Sequence, residues 1–201
     1  MARIETVEQL RARITDYGPR GAAKIRDHIC PQGVAFIARC PFVMLGTLGD
    51  YGLEISQKGG GPGFVEVADD KTLLIPEYVG NHLAIGLQNI LRDPRVALAL
   101  LRPATDEVLR VTGRAVLLDD DDLCERLAAD GKPATLVIRV AVERAAFHCV
   151  RSARRARLWD PESWSEPMRV SFGKIFADAL QQPELGPVFD KMAAENDSTL
   201  Y

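Results

Sequence analysis

Residues 56–64, SQKGGGPGF, place a lysine at the end of an alternating apolar stretch and follow it with four glycines. A cation beside backbone free of side chains lets peptide N–H groups approach an anion. The order differs from a Walker A loop, where the lysine follows the glycines and precedes Ser or Thr at a helix start. The alternative is a flexible hairpin loop carrying a solvated Lys58. A second anion-seeking feature stands at Gly80-Asn81-His82, ahead of Leu83, Leu87, Ile90 and Leu91 at helical spacing. The spacing predicts a helix with Asn81 as its N-cap, ending before Asp93-Pro94, and a helix amino terminus is a ready phosphate site. Capping alone also accounts for Asn81, and His82 is either an added donor or an exposed first-turn residue.

Other polar clusters have plainer readings. Arg110 and Thr112 share one face of LRVTGRA, opposite Leu109, Val111 and Gly113, so that face lines a site or meets solvent. The carboxylates at 119–122 read as a helix start stabilised by the helix dipole. RSARRARLW, residues 151–159, has four arginines and Trp159, a composition suited to phosphate or to stacking on a flat ring. Cys30, Cys40, Cys124 and Cys149 form no CxxC pair, and with His28, His82 and His148 they give no zinc-like spacing, so no metal is expected. Without a GxSxG elbow or an HExxH motif, chemistry here is more plausibly a cofactor's than a side chain's.

These residues sit on a recognisable succession of elements. Short apolar or alternating runs at 42–48, 53–56, 73–75, 96–101, 108–118 and 136–142 read as six strands, with Asp50-Tyr51-Gly52 as a hairpin turn between the first two. One helix falls between the third and fourth and another between the fifth and sixth. That pattern predicts a closed antiparallel barrel carrying helices, an α+β and mainly β fold; a doubly wound sheet needs a helix after nearly every strand. Residues 1–40 read as a helical cap. Thr6 and Gln9 form a capping box, Gly18-Pro19 stops the first helix, and Cys30-Pro31 breaks the second, with a further turn at 33–38. The barrel core spans 41–150. A helical extension, 151–201, carries apolar stripes at Phe172, Ile175, Phe176 and Leu180, then Leu185, Val188, Phe189 and Met192, suited to packing on the barrel or a second subunit. The whole is expected to be one domain.

Composition narrows the partners. In 201 residues, 47% are hydrophobic and 26% charged, with 25 Lys+Arg against 28 Asp+Glu and a net charge of -3. A mildly acidic chain lacks the basic field that drives phosphate-backbone binding, so nucleic acid is not an expected partner. No apolar run approaches the roughly 20 residues of a membrane span, and MARIETVEQLRARI lacks an apolar signal core, so a cytoplasmic protein without membrane contact is expected.

Several segments together resemble the FMN-binding split-barrel flavoproteins of the pyridoxamine 5'-phosphate oxidase superfamily, particularly a bacterial branch of about this length. They are PFVMLGT at 41–47, SQKGGGPGF, the stretch from Leu73-Leu74-Ile75-Pro76 through Gly80-Asn81 to NILRDPRVALALL, LRVTGRA at 109–115 and LWDPESW at 158–164. They run in the same order over most of 34–164. The resemblance implies a six-stranded antiparallel split β-barrel and a homodimer with FMN in a groove at the subunit interface. It implies Lys58 as a cation for the phosphate or ring, and Ser56 and Gln57 as strand-edge contacts to the isoalloxazine. Ile75 and Pro76 would wall the flavin, Asn81 and His82 would approach the phosphate, and Trp159 would cover the ring, with Arg110 a further candidate.

Departures from the family pattern bear on substrate. Leu53 stands where the oxidases carry an arginine five residues before the lysine, Asn81-His82 replaces an Arg-Lys pair, and Arg155-Ala156-Arg157 only approximates the Arg-x-His substrate motif. The resemblance therefore implies the fold and the flavin without the vitamin B6 substrate. The expected activity is an FMN-dependent oxidoreductase acting on a small molecule. The alternatives are a flavin-binding or flavin-sensing protein without turnover, and a split barrel using deazaflavin or haem.

Overall fold

Alternation of buried apolar and more exposed residues, most regular at 42–49, 95–101 and 108–118, marks strands that join in one antiparallel sheet of seven. The computed structural model describes residues 3–80, 82–148 and 150–196. The strands are β1 (Phe42–Gly49), β2 (Gly52–Gly59), β3 (Glu66–Asp69), β4 (Thr72–Glu77), β5 (Arg95–Leu101), β6 (Val108–Leu118) and β7 (Leu136–His148), hydrogen-bonded in the order β2-β1-β5-β6-β7-β4-β3. Gly52, at φ 79°, supplies the left-handed residue that closes the β1–β2 hairpin where the sequence places it. Val43, Leu45, Leu100, Val111, Ile138 and Val140 are fully buried, so one sheet face is the core.

The expected α+β fold, an antiparallel split barrel with flanking helices, is the fold observed. The strand number differs, seven against six, because β3 is only four residues long and too short to show a period. The hydrogen-bonded order ends at β2 on one side and β3 on the other, so the closed barrel expected from the strand pattern is corrected to a split one, open between these edge strands.

Helices cap the sheet. Helix α1 (Val7–Arg11) starts at the predicted capping box, with Thr6 Oγ1 accepting from the Gln9 N–H at 3.2 Å. Both proline steps read as helix stops instead open helices, α2 (Pro19–Ala22) and α3 (Pro31–Ile37), because the fixed φ of proline suits the first helical position. Helix α4 (Ile85–Arg92) packs on β1 through Asn89, whose buried amide donates to Thr47 Oγ1 at 3.3 Å and to the Gly52 carbonyl at 3.2 Å. The acidic run starts α5 (Asp121–Arg126), with Asp120 accepting from the Leu123 N–H. Beyond β7 come α6 (Arg151–Arg155), α7 (Phe172–Leu180) and α8 (Gly186–Asn196). The last two pack chiefly against each other: Phe176 and Phe189 stack with centroids 5.2 Å apart, and Asp190 accepts from the Ser171 hydroxyl and the Gly173 N–H. No described helix is long and apolar enough to cross a membrane.

Candidate functional site

The β1–β2 register decides which side chains of the lysine-glycine segment face inward. Ser56 pairs with Leu45 and Lys58 with Val43, both core residues, whereas Gln57 pairs with Met44 on the outer face. The end of β4 meets the end of β2 across the split. Gln57, Lys58, Gly59, Pro76, Glu77 and Gly80 are among the residues lining a groove there of about 360 Å³. Lys58 Nζ lies 2.8 Å from Glu77 Oε1 and 2.6 Å from Oε2, and the two side chains are only 12% and 18% exposed. In this low-dielectric position the pair fixes both groups more firmly than a surface salt bridge would.

Beside the groove lies a second polar feature. The Ser56 hydroxyl is shielded from solvent and has no hydrogen-bond partner among the described residues. It faces the first turn of α4 at Gly86, where a Cβ would stand 3.3 Å from Ser56 Oγ and 3.6 Å from Thr47 Oγ1. No side chain caps that turn, since Ala84 holds the N-cap position at φ 51°. The hydroxyl therefore packs directly on the helix backbone at Gly86, and the first turn of α4, without a side-chain cap, is left for water or an anion to satisfy.

The structure brings together part of the expected set. Ser56, Lys58, Gln57 and Pro76 surround the groove or adjoin it. Ile75 does not line it: its side chain is fully buried in the core, on the opposite face of β4 from Pro76. The helix expected to start at Asn81 starts at Ile85, so the N-cap assignment is corrected to Ala84; Asn81 itself lies outside the described residues. His82 is exposed at φ 59° before the helix. Arg110 points outward from β6, between Ala99 and Ala146, away from the groove. Its charge, after burial, helps hold the His148 imidazole below its ordinary pKa. Trp159 is also apart, its indole N–H donating to the Thr105 carbonyl at 3.0 Å. Among the described residues no group of three His, Cys, Asp or Glu side chains is placed to hold a metal.

Glu77 and Gly86 escaped the sequence reading. Glu77 follows a proline at a strand end, and only the folded barrel brings it to Lys58. Gly86 had a local signal, a helix-weakening residue at the start of an otherwise good helix.

A family model described as pyridoxamine 5'-phosphate oxidase matches residues 30–149, which span α3, the whole sheet and α4. Solved structures similar to the chain include a variant of HupZ from Group A Streptococcus, at 19% identity over 60% of this chain and 99% of that one, with a TM-score of 0.49. A putative pyridoxamine 5'-phosphate oxidase from Lactobacillus delbrueckii is 23% identical over 60% of this chain and 94% of that one, with a TM-score of 0.46. An FMN-binding protein from Syntrophomonas wolfei is 12% identical over 71% of this chain and 96% of its own, with a TM-score of 0.47. Among curated proteins none matches the chain. The family match covers more than half of the sequence and takes in both the lysine-glycine strand and α4, so the chain belongs to the pyridoxamine 5'-phosphate oxidase family.

Proposed function

We propose that this protein is an FMN-binding flavoprotein that works as an FMN-dependent oxidoreductase on a small molecule, in a homodimer. The observation that carries the reading is the groove where β2 meets β4, with the mostly buried Lys58 at its side and the uncapped first turn of α4 packed on the same strand. Membership of the family supports a flavin as the group that fits there. Lys58 and the first-turn N–H groups of α4 would hold the phosphate, while Pro76 and the strand edge at Ser56 and Gln57 would border the ring. When bound, FMN supplies hydride or electron transfer, and the protein's task is position and electrostatics.

The Lys58–Glu77 pair has a definite part in this. Glu77 keeps Lys58 in place and balances its charge while the groove holds no anion. A phosphate that reaches the ammonium competes with the carboxylate, so Glu77 moderates affinity while Lys58 raises it.

A dimer accounts for two further features. Leu53 and Ile55 on β2 are 84% and 61% exposed, and Gly46 and Ala97 continue the same outer strip on β1 and β5. An apolar face of this kind on an antiparallel sheet is a natural subunit contact. Arg110, also on the outer face, and Trp159 would then approach the flavin from the second subunit.

The test is the visible spectrum of protein purified by gel filtration, followed by anaerobic addition of NADH or NADPH. Retained flavin bands that bleach on reduction and return with an acceptor are expected. Flavin that neither nucleotide reduces points to binding or sensing without turnover, and a protein that takes up no FMN overturns the reading.

A further inference from the structure

On another side of the molecule, α3, the β5–β6 turn and the end of β7 enclose a separate cavity of about 380 Å³. Phe36 and Phe147 form its apolar wall, meeting edge to face with ring centroids 5.3 Å apart. Arg39, Arg102, Thr105 and Glu107 supply its polar rim. Arg102 is only partly exposed, and its Nη1–H donates to Thr105 Oγ1 at 2.7 Å. Among the described residues neither arginine has an ion-pair partner, although Glu107 borders the same cavity. The two guanidiniums and one carboxylate leave the rim with a net positive charge. A partly buried cation without a counter-charge is costly, and an anion entering beside it removes that cost.

The turn that carries Arg102 is held by hydrogen bonds of its own. The Thr105 N–H donates to the Arg102 carbonyl at 3.2 Å, closing the turn. Trp159 holds the Thr105 carbonyl through its indole at 3.0 Å, and Arg154 Nε donates to Asp106 Oδ2 at 2.8 Å. These bonds fix the segment that carries Arg102, so little ordering is left to oppose binding. Cavity size, aromatic wall and convergent donors are those of a small-molecule site.

We propose that this cavity binds a small planar aromatic anion, a single ring bearing a carboxylate or phosphate group, with the anion at Arg102 and Arg39 and the ring against Phe36 and Phe147. The proposal does not rest on the flavin reading. Trp159 adjoins the cavity and reports on it: replacing the other tryptophan, Trp164→Phe, leaves a single indole whose fluorescence is followed during titration with benzoate and with phenyl phosphate. A saturable response is expected to one or both, and the stronger of the two identifies the anionic group. Arg102→Gln should weaken it at least tenfold with an unchanged urea midpoint, Phe147→Leu should weaken it less, and Lys58→Ala should leave it intact. The proposal is overturned by absence of saturation, by a response that survives Arg102→Gln, by one lost in Lys58→Ala, or by inorganic phosphate binding as tightly as phenyl phosphate.

Discussion

Lys58 answers to two partners, and its substitution separates them. If phosphate binds at this ammonium, Lys58→Ala should weaken FMN binding by roughly tenfold or more, the usual scale of one charge-assisted contact. Glu77→Gln should do the opposite to affinity while costing stability. It leaves a mostly buried lysine without its carboxylate, so the flavin-free protein should lose about 1–3 kcal/mol in urea unfolding, yet FMN should bind more tightly than to the wild type. Equal FMN affinity in both variants would remove the pair from the site. At this scale the sequence showed half of the arrangement. The lysine is marked by its glycines, but Glu77 becomes its partner only because β2 and β4, far apart in the sheet order, converge at the split.

Elements place those side chains, and two elements offer tests. Strand β6 shifts register against β7 between Thr112 and Gly113, and a Cβ at Gly113 would lie 2.0 Å from the Ala141 carbonyl oxygen. Backbone cannot yield as a flexible side chain does, so Gly113→Ala should destabilise the protein by about 3 kcal/mol or more, measured by chemical unfolding; a loss below 1 kcal/mol, on the order of an ordinary surface change, would contradict the packing. The α7–α8 hairpin depends on Asp190, whose pKa is held below the ordinary value first by the Ser171 hydroxyl and then by the Gly173 N–H. Because the folded pKa is depressed, this support is complete above the ordinary aspartate value of about 4 and is lost as pH falls through the lower folded value. Helical circular dichroism should therefore fall in acid, and Asp190→Ala should remove that step. The long alternating strands and the two C-terminal helices were legible because their periods repeat several times. β3 was not, since four residues show no period, and the start of α4 was misplaced because Leu83 has the helical spacing while standing exposed outside the helix.

For the whole molecule, assembly is tested at the outer strip of β2. The outer strip at Leu53 and Ile55 cannot be recognised as a contact from alternation alone, because an outward residue in a strand is apolar often enough by chance. Gly46 pairs with Ile55 and Ala97 with Gly46, so the strip continues across β1 and β5. Ile55→Glu should convert a dimer of the 22.1 kDa chain into monomers in light scattering and lower flavin retention in the same sample. A wild-type monomer that retains flavin would separate the cofactor site from any interface.

If Lys58 and the first turn of α4 hold the phosphate, FMN and riboflavin must differ in affinity. Both carry the same ring, so flavin-fluorescence titrations of flavin-free protein isolate the contribution of the phosphate. FMN should bind at least tenfold more tightly than riboflavin, a difference of about 1.4 kcal/mol or more. Equal affinities would mean that the groove recognises the ring alone and that neither Lys58 nor the first turn of α4 holds the phosphate.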